Sequence, residues 1–500
     1  MLFNSVEFLL FFPATVLGFF LIPKKLKTVW LLAASYYFYM CWNVRHAVLI
    51  AVSTAVSWAG GLLMGKPADD GRRLGRKLVL AACCMVNMGI LFFYKYFDFA
   101  LDNLNVLFQK AGMPLLDKPF DVLLPAGLSF FTFQAVGYLI DVYRGDTEPE
   151  KNILSYALFV SFFPQLVAGP IERSKNLLGQ VRRIPQMGFR QLFDYERIAG
   201  GLILMLWGYF QKMVIADRIA VLSDTVFDSW YFYGAVELVL AVAAFSIQIY
   251  CDFASYSVIA QGAARVMGFS LMENFNTPYF SGSMREFWRR WHISLGTWFR
   301  DYLYIPLGGS RCGRLRRYLN TMIIFAASGL WHGAAWHYVA WGTLHGLFQV
   351  IGAQTEAFRK KLAEQAGMDR SSFSFRLGQI AVTYLLTLFT LVFFRAGSLS
   401  QAFGCIRKIF TEPDPWVLTD GTLYTLGLEM AQLHVLCAAL AVLLSVSIIR
   451  YWKQETLDVF LGRQGTWFRW LVIAGLFSGI FLFGMYGPEY DASQFIYFQF

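Results

Sequence analysis

The sequence predicts an all-α, polytopic membrane protein, and three observations carry that prediction. Only 15% of its 500 residues are charged, against roughly 25% in soluble domains. The shortfall is spread along the whole chain, which argues against a soluble domain with one anchor. Apolar runs of about 20 residues, the length that crosses a bilayer as helix, recur from end to end. Aromatic residues make up 18%, with 49 Phe, a composition suited to lipid-facing helices and interfacial belts.

Taken in order, the candidate spans are 6–22, 28–43, 47–65, 78–97, 121–142, 198–217, 233–262, 318–350 as a helix pair, 377–397, 432–450 and 467–487. The N-terminal run lacks a basic leader and a small-residue cleavage site, so it reads as a first span. Lys24, Lys25 and Lys27 follow it, and Arg72, Arg73, Arg76 and Lys77 follow the third span. Basic loops stay cytoplasmic, so both loops lie inside and the N-terminus outside. The run 152–171 contains Pro164, Gly169 and Pro170 and precedes a loop with Arg173, Lys175, Arg182 and Arg183. Both its flanks are then inside, and it is expected to enter and leave on one side. Such broken backbone is tolerated at membrane depth where it is buried in protein or lines a wet cavity. The arginines of 284–317 and the Arg359-Lys-Lys run place both ends of 318–350 inside as well, with a turn near Gly329–Gly333. The same alternation puts the C-terminus outside.

The net charge of +10 fits basic cytoplasmic loops against anionic lipid. Nucleic-acid binding is excluded, because no charge-rich soluble module exists to carry it. The seven cysteines, at 41, 83, 84, 251, 312, 405 and 437, show no ligand spacing and read as small buried hydrophobes. No internal repeat of the transporter kind is visible.

Four of the six histidines, His292, His332, His337 and His345, fall in one stretch. Imidazole is the side chain most easily poised as a base near neutral pH. Ionisable groups at membrane depth are functional candidates. In 285–304, Trp288, Trp291, Leu295, Trp298 and Tyr302 recur at helical spacing, with Arg285, Arg289, His292 and Arg300 on a neighbouring face. This predicts an amphipathic interfacial helix. It serves either as a surface anchor or as the mouth for an anionic, phosphate-bearing donor such as coenzyme A or a phosphopantetheine carrier. In Ser328-Gly-Leu-Trp-His332-Gly, glycines flank a Trp-His pair. Such a histidine is either a hydrogen-bonded structural residue or a general base acting on an acceptor hydroxyl. A metal site is not expected, since the spacing 332, 337, 345 does not match HExxH. Ser328 lies in no GxSxG, which argues against a serine nucleophile. His46 and His434 read as structural, and His345 as a residue bonded within the core. Asp252, deep in an apolar span, needs partners, for which Gln248 and Tyr256 are candidates.

Several long runs carry a resemblance. They are Asn274-Phe-Asn-Thr-Pro-Tyr-Phe-Ser, Glu286-Phe-Trp-Arg-Arg-Trp-His-Ile-Ser-Leu, Trp298-Phe-Arg-Asp-Tyr-Leu-Tyr-Ile-Pro-Leu-Gly-Gly-Ser and Gly329-Leu-Trp-His-Gly-Ala. Phe163-Pro-Gln-Leu-Val-Ala-Gly-Pro-Ile-Glu-Arg, Tyr250-Cys-Asp-Phe-Ala-Ser-Tyr and the terminal runs Leu2-Phe-Asn-Ser and Phe495-Ile-Tyr-Phe-Gln-Phe belong with them. On these the chain resembles the membrane-bound O-acyltransferase (MBOAT) family, in the bacterial alginate O-acetyltransferase branch related to the D-alanyl-lipoteichoic acid export protein. The resemblance implies one integral-membrane domain over 1–500, with N-terminal helices to 115, a catalytic core at 116–355 and C-terminal helices at 356–500. It implies about 11 transmembrane helices, with re-entrant and interfacial helices around a central funnel or tunnel. It makes His332 and His292 the catalytic candidates. Trp288, Arg289, Trp291, Arg300 and Trp331 are the substrate-binding candidates. The donor implied is acyl-CoA, chiefly acetyl-CoA, with no bound cofactor and no metal. The acceptor implied is an exopolysaccharide or cell-wall glycan at the outer face of the bacterial cytoplasmic membrane. An extracytoplasmic SGNH-hydrolase-type acyltransferase subunit is the implied partner. The rival readings are D-alanyl transfer from an acyl carrier protein to teichoic acid, and a transporter or flippase.

Overall fold

The computed structural model describes residues 1–65, 73–118 and 124–486. The expectations attached to Arg72, to the start of the 121–142 span and to the run 495–500 lie outside the described residues. Every described element is helical. Among the described residues, seven helices are long and apolar enough to cross a membrane, including Val44–Met64, Ala235–Val266 and Phe373–Arg395. The other expected spans also form helices, but α1 (Val6–Leu21) is short and α2 (Lys24–Met40) opens on lysines. By its internal contacts the chain divides into two compact units, Met1–Met205 with Ser257–Met272, and Leu206–Tyr256 with Glu273–Phe500.

The first unit holds α1, α2, α3 (Ala47–Met64), α4 (Arg73–Leu91), α5 (Phe97–Lys110), α6 (Leu128–Arg144), α7 (Ile153–Ser161) and α8 (Phe163–Leu166). The segment 152–171 is broken, as its prolines and glycine predict. Asn152 caps α7 by accepting from Leu154 N–H at 2.9 Å. At the break the Phe159 carbonyl accepts from Gln134 Nε2 at 2.7 Å and from Gln165 Nε2 at 3.0 Å. Two buried amides thus satisfy a carbonyl that a regular helix would have paired. Gly169 is required there, because a Cβ would sit 2.4 Å from the Gln165 Cα.

The helix α9 (Tyr195–Tyr209) leads through a π-turn, Phe210–Ala216, into α10 (Asp217–Asp228), and α11 (Ala235–Val266) follows. Both α9 and α11 contribute residues to each unit. The second unit also contains the short helices α12 (Met284–Arg290) and α13 (Ile293–Phe299). A hairpin of α14 (Arg314–His332) and α15 (Trp336–Gln354) comes next, then α16 (Phe373–Arg395), α17 (Met430–Lys453) and α18 (Thr466–Phe483). The hairpin is the helix pair that the charge pattern of 318–350 demands.

Its two arms meet backbone to backbone. A Cβ at Gly329 would lie 2.2 Å from the Tyr338 carbonyl oxygen, and one at Gly342 would lie 2.2 Å from the Phe325 carbonyl oxygen. Small residues permit this approach in membranes, where dispersion drives helix pairing. Gly342→Ala is therefore expected to cost about 1–3 kcal/mol by overpacking. A thermal melt of purified protein checks this, and Gly352→Ala on the same helix, where a Cβ meets nothing within 4 Å, is the neutral control.

Candidate active site

The expected continuous helix over 285–304 is two helices with a break at Trp291-His292. The break has a local cause. Asn276 N–H donates to the Arg290 carbonyl and Ile293 N–H to the Asn274 carbonyl, both at 2.9 Å. The run Asn274–Thr277 thereby clasps the end of α12 and bends the backbone out of the helix. His292 lands in the left-handed region at φ 45°, and Thr277 at φ 44°. Both are uncommon for side chains of this kind, and such strain gathers at functional sites.

The clasp also fixes the His292 ring. Asn274 Oδ1 accepts from Ser294 N–H at 3.3 Å and from Ser294 Oγ at 2.9 Å. That atom lies 3.1 Å from His292 Nδ1, so Nδ1 donates and Nε2 holds the lone pair. His292 is fully buried, against Phe253 at 4.7 Å between centroids. It lies outside the membrane-crossing helices, and burial pushes its imidazole down to about 3. It is therefore a neutral residue of the interior rather than part of an exposed basic face.

His332 is the last residue of α14, and Gly333 caps the helix. The hairpin carries this imidazole to its tip, buried at 4% exposure. Aromatic rings box it in. Trp331 and Trp341 stand edge-on at 5.0 Å, Phe394 at 5.5 Å and His292 at 6.3 Å. The two histidines singled out in the sequence thus come together, with Trp331 also 5.7 Å from the His292 ring. A small cavity of about 10 Å³, room for about one water, is lined by His332, His345, Trp291, Trp341, Thr387 and Phe394 among others.

The other two histidines are held in place. His337 Nδ1 lies 3.0 Å from the Phe393 carbonyl and must donate to it. His345 Nδ1 accepts from Trp288 Nε1 at 3.2 Å, and its Nε2 lies 3.0 Å from Thr390 Oγ1. This is the core-bonded role read for His345 in the sequence. No group of three or more metal-ligating side chains occurs among the described residues.

Trp288 and Trp291 join this cluster, whereas Arg289 and Arg300 are exposed, and Arg300 pairs with its neighbour Asp301 at 2.8 Å. A cavity of about 650 Å³ opens beside α12, α15 and α16, lined by Arg285, Arg359, Arg370 and Arg376 against Glu286 and Glu356. Glu286 is already neutralised by Arg376, which donates to both its oxygens at 2.8 and 2.9 Å. Asp252 has a partner that the sequence reading missed. Lys212 Nζ, inside the π-turn, reaches Asp252 at 2.5 Å and Asp217 at 2.8 Å. Only the turn's irregular winding could have hinted at it, since π-turns mark functional or strained positions.

The site is a buried imidazole at a helical hairpin tip, walled by aromatic rings, in a chain with several helices long and apolar enough to cross a membrane. Comparison with known proteins names the family. Residues 150–392 match the model of the membrane-bound O-acyltransferase family. The chain is 36% identical over 455 residues to the "Probable alginate O-acetylase" of Pseudomonas putida, covering 88% of this chain and 87% of that protein. It is 32% identical over 441 residues to the peptidoglycan O-acetyltransferase of Helicobacter pylori, covering 81% and 79%. It is 28% identical over 252 residues to the teichoic acid D-alanyltransferase of Streptococcus thermophilus, covering 45% and 56%. The chain belongs to the membrane-bound O-acyltransferase family, and it is an O-acyltransferase.

His292 generates a pH prediction. Its folded value near 3 lies below the roughly 6.5 of an unfolded histidine, so acid favours the unfolded state. Its contribution is complete above about pH 6.5 and falls away towards pH 3, by roughly 2 kcal/mol at pH 5. Melting temperature is expected to drop between pH 7 and 5. The drop is smaller in His292→Asn, chosen because Asn tolerates the left-handed backbone.

Proposed function

We propose that the enzyme moves an acetyl group from cytoplasmic acetyl-CoA to a hydroxyl acceptor, for O-acetylation of an exopolysaccharide or cell-wall glycan, with His332 as general base. The observation that carries this reading is the placement of His332, buried at a hairpin tip and lining a small aromatic-walled cavity. In the reaction, His332 takes the acceptor's hydroxyl proton while the oxygen attacks the thioester carbonyl. The C–S bond then breaks, and the leaving thiolate receives that proton from the imidazolium. Dry aromatic walls keep water from competing for the acyl group.

The arginine-rimmed cavity fits a phosphate-bearing donor, since guanidinium groups recognise phosphate through paired hydrogen bonds. His292, with its Nδ1 committed to Asn274, supports the site as a second neutral imidazole beside His332. The enzyme is assigned to the bacterial cytoplasmic membrane with both termini outside. Transfer to the glycan is completed by an extracytoplasmic SGNH-hydrolase-type subunit. The acetylating relatives align with four-fifths or more of the chain, the D-alanylating one with 45%, which favours acetyl over D-alanyl.

Two outcomes test the reading. His332→Ala is expected to lower glycan acetylation at least about a hundredfold while membrane expression stays normal, measured as ester-linked acetate released from the product. Unchanged acetylation would sink the assignment. Arg359→Ala and Arg370→Ala are each expected to raise KM for acetyl-CoA about three- to tenfold with kcat little changed, and more so at low salt.

A further inference from the structure

The two cavities share their walls. Both are bordered by the same three segments. The larger takes Arg285 and Glu286 from α12, Phe348 and Gln349 from α15, and Thr383 and Leu386 from α16. The smaller takes Phe287 and Trp291, then His345 and Trp341, then Thr387 and Leu391. On each segment the second set lies next to the first along the chain. The cavities are therefore stacked end to end along one interstice. On α16, Thr383 and Thr387 are one turn apart, roughly 6 Å.

On α12 and α15 the residues of the smaller cavity's lining nearest in sequence to the larger cavity's are Phe287 and His345. The Phe287 ring lies parallel to the His345 ring, 6.1 Å between centroids and 4° between planes. His345 cannot turn without breaking two hydrogen bonds, and their directions are determined. The Trp288 indole only donates, so His345 Nδ1 must accept. Thr390 spends its own proton on the Thr387 carbonyl at 2.7 Å, so His345 Nε2 donates to Thr390 Oγ1. The ring is thus held neutral and in one orientation by α12 on one side and α16 on the other. His345 itself is 1% exposed.

We propose that the Phe287–His345 layer is a gate between the two cavities, crossed by the thioester arm of the donor, and that His345 is the positioning residue that holds it shut. The donor part rests on the acetyl-CoA reading above; the gate stands on the packing alone. A closed gate keeps bulk water from the His332 chamber until the donor's narrow arm displaces the layer, and it favours a two-carbon acyl group over a bulky one.

Cysteine accessibility in the full-length protein, reconstituted in liposomes, tests this. Leu386→Cys probes the larger cavity and Leu391→Cys the smaller, with N-ethylmaleimide modification quantified at each position by mass spectrometry so that native cysteines do not interfere. Position 386 is expected to react at least about tenfold faster than 391, as for a site that needs local opening. Adding His345→Ala to Leu391→Cys is expected to remove most of that difference. Adding His345→Gln preserves it, because the glutamine amide can accept from Trp288 and donate to Thr390. Equal rates at 386 and 391 with His345 intact, or equal acceleration by His345→Ala and His345→Gln, would overturn the gate. Acetyl-CoA is expected to slow modification at 386. Absence of that protection with the gate pattern intact would overturn the donor assignment instead.

Discussion

The second unit depends on how closely the two arms of one hairpin approach. Gly329, Gly342 and Gly346 leave room for backbone against backbone between α14 and α15, and a side chain at the first two would collide with a carbonyl oxygen. That contact holds the turn between the two arms, and the first arm ends on His332. Everything else at the site is arranged around the resulting fixed point. Trp341 and His345 stand on the returning arm, Phe394 and Thr390 on α16, and Trp288 and Trp291 on the clasped segment before the hairpin. Aromatic side chains suit this role because they are rigid and bring large area at little entropic cost.

The polar groups follow a consistent logic. A buried imidazole is costly unless its nitrogens are committed. His292 is oriented by Asn274, His337 by a backbone carbonyl and His345 by Trp288 and Thr390. Three histidines are thus held by named partners around His332. Lys212 and its two aspartates obey the same rule elsewhere in the unit, since a buried charge is tolerable only when paired. The four histidines that suggest a cluster in the sequence are one candidate base with three supports of different kinds.

Much of this was legible in the sequence. Hydropathy and loop arginines located the helices, including the broken 152–171 segment and the 318–350 pair. The clustering of four histidines marked the region, and the resemblance to the family singled out His332 and His292 within it. What escaped has physical reasons. The break at Trp291-His292 is imposed by hydrogen bonds from Asn274–Thr277, and a local hydrophobic period does not register such a clasp. The arginines beside the larger cavity belong to four separate segments that only tertiary packing brings together. Arg289 and Arg300, whose side chains are exposed, lie on either side of the break. Lys212 sits in an apolar run with Asp217 as its near partner in sequence, and only the fold brings it to Asp252 as well, so Asp252 could be recognised as needing a cation without the cation being found.

The central claim is that a single buried imidazole makes this protein a catalyst rather than a conduit. It is tested most directly by incubating purified protein in liposomes with radiolabelled acetyl-CoA and measuring free CoA thiol and labelled acyl product. The account predicts thiol release that is lost in His332→Gln while donor binding persists. Acetyl-CoA binding with no thiol release, or equal release by both proteins, would contradict it.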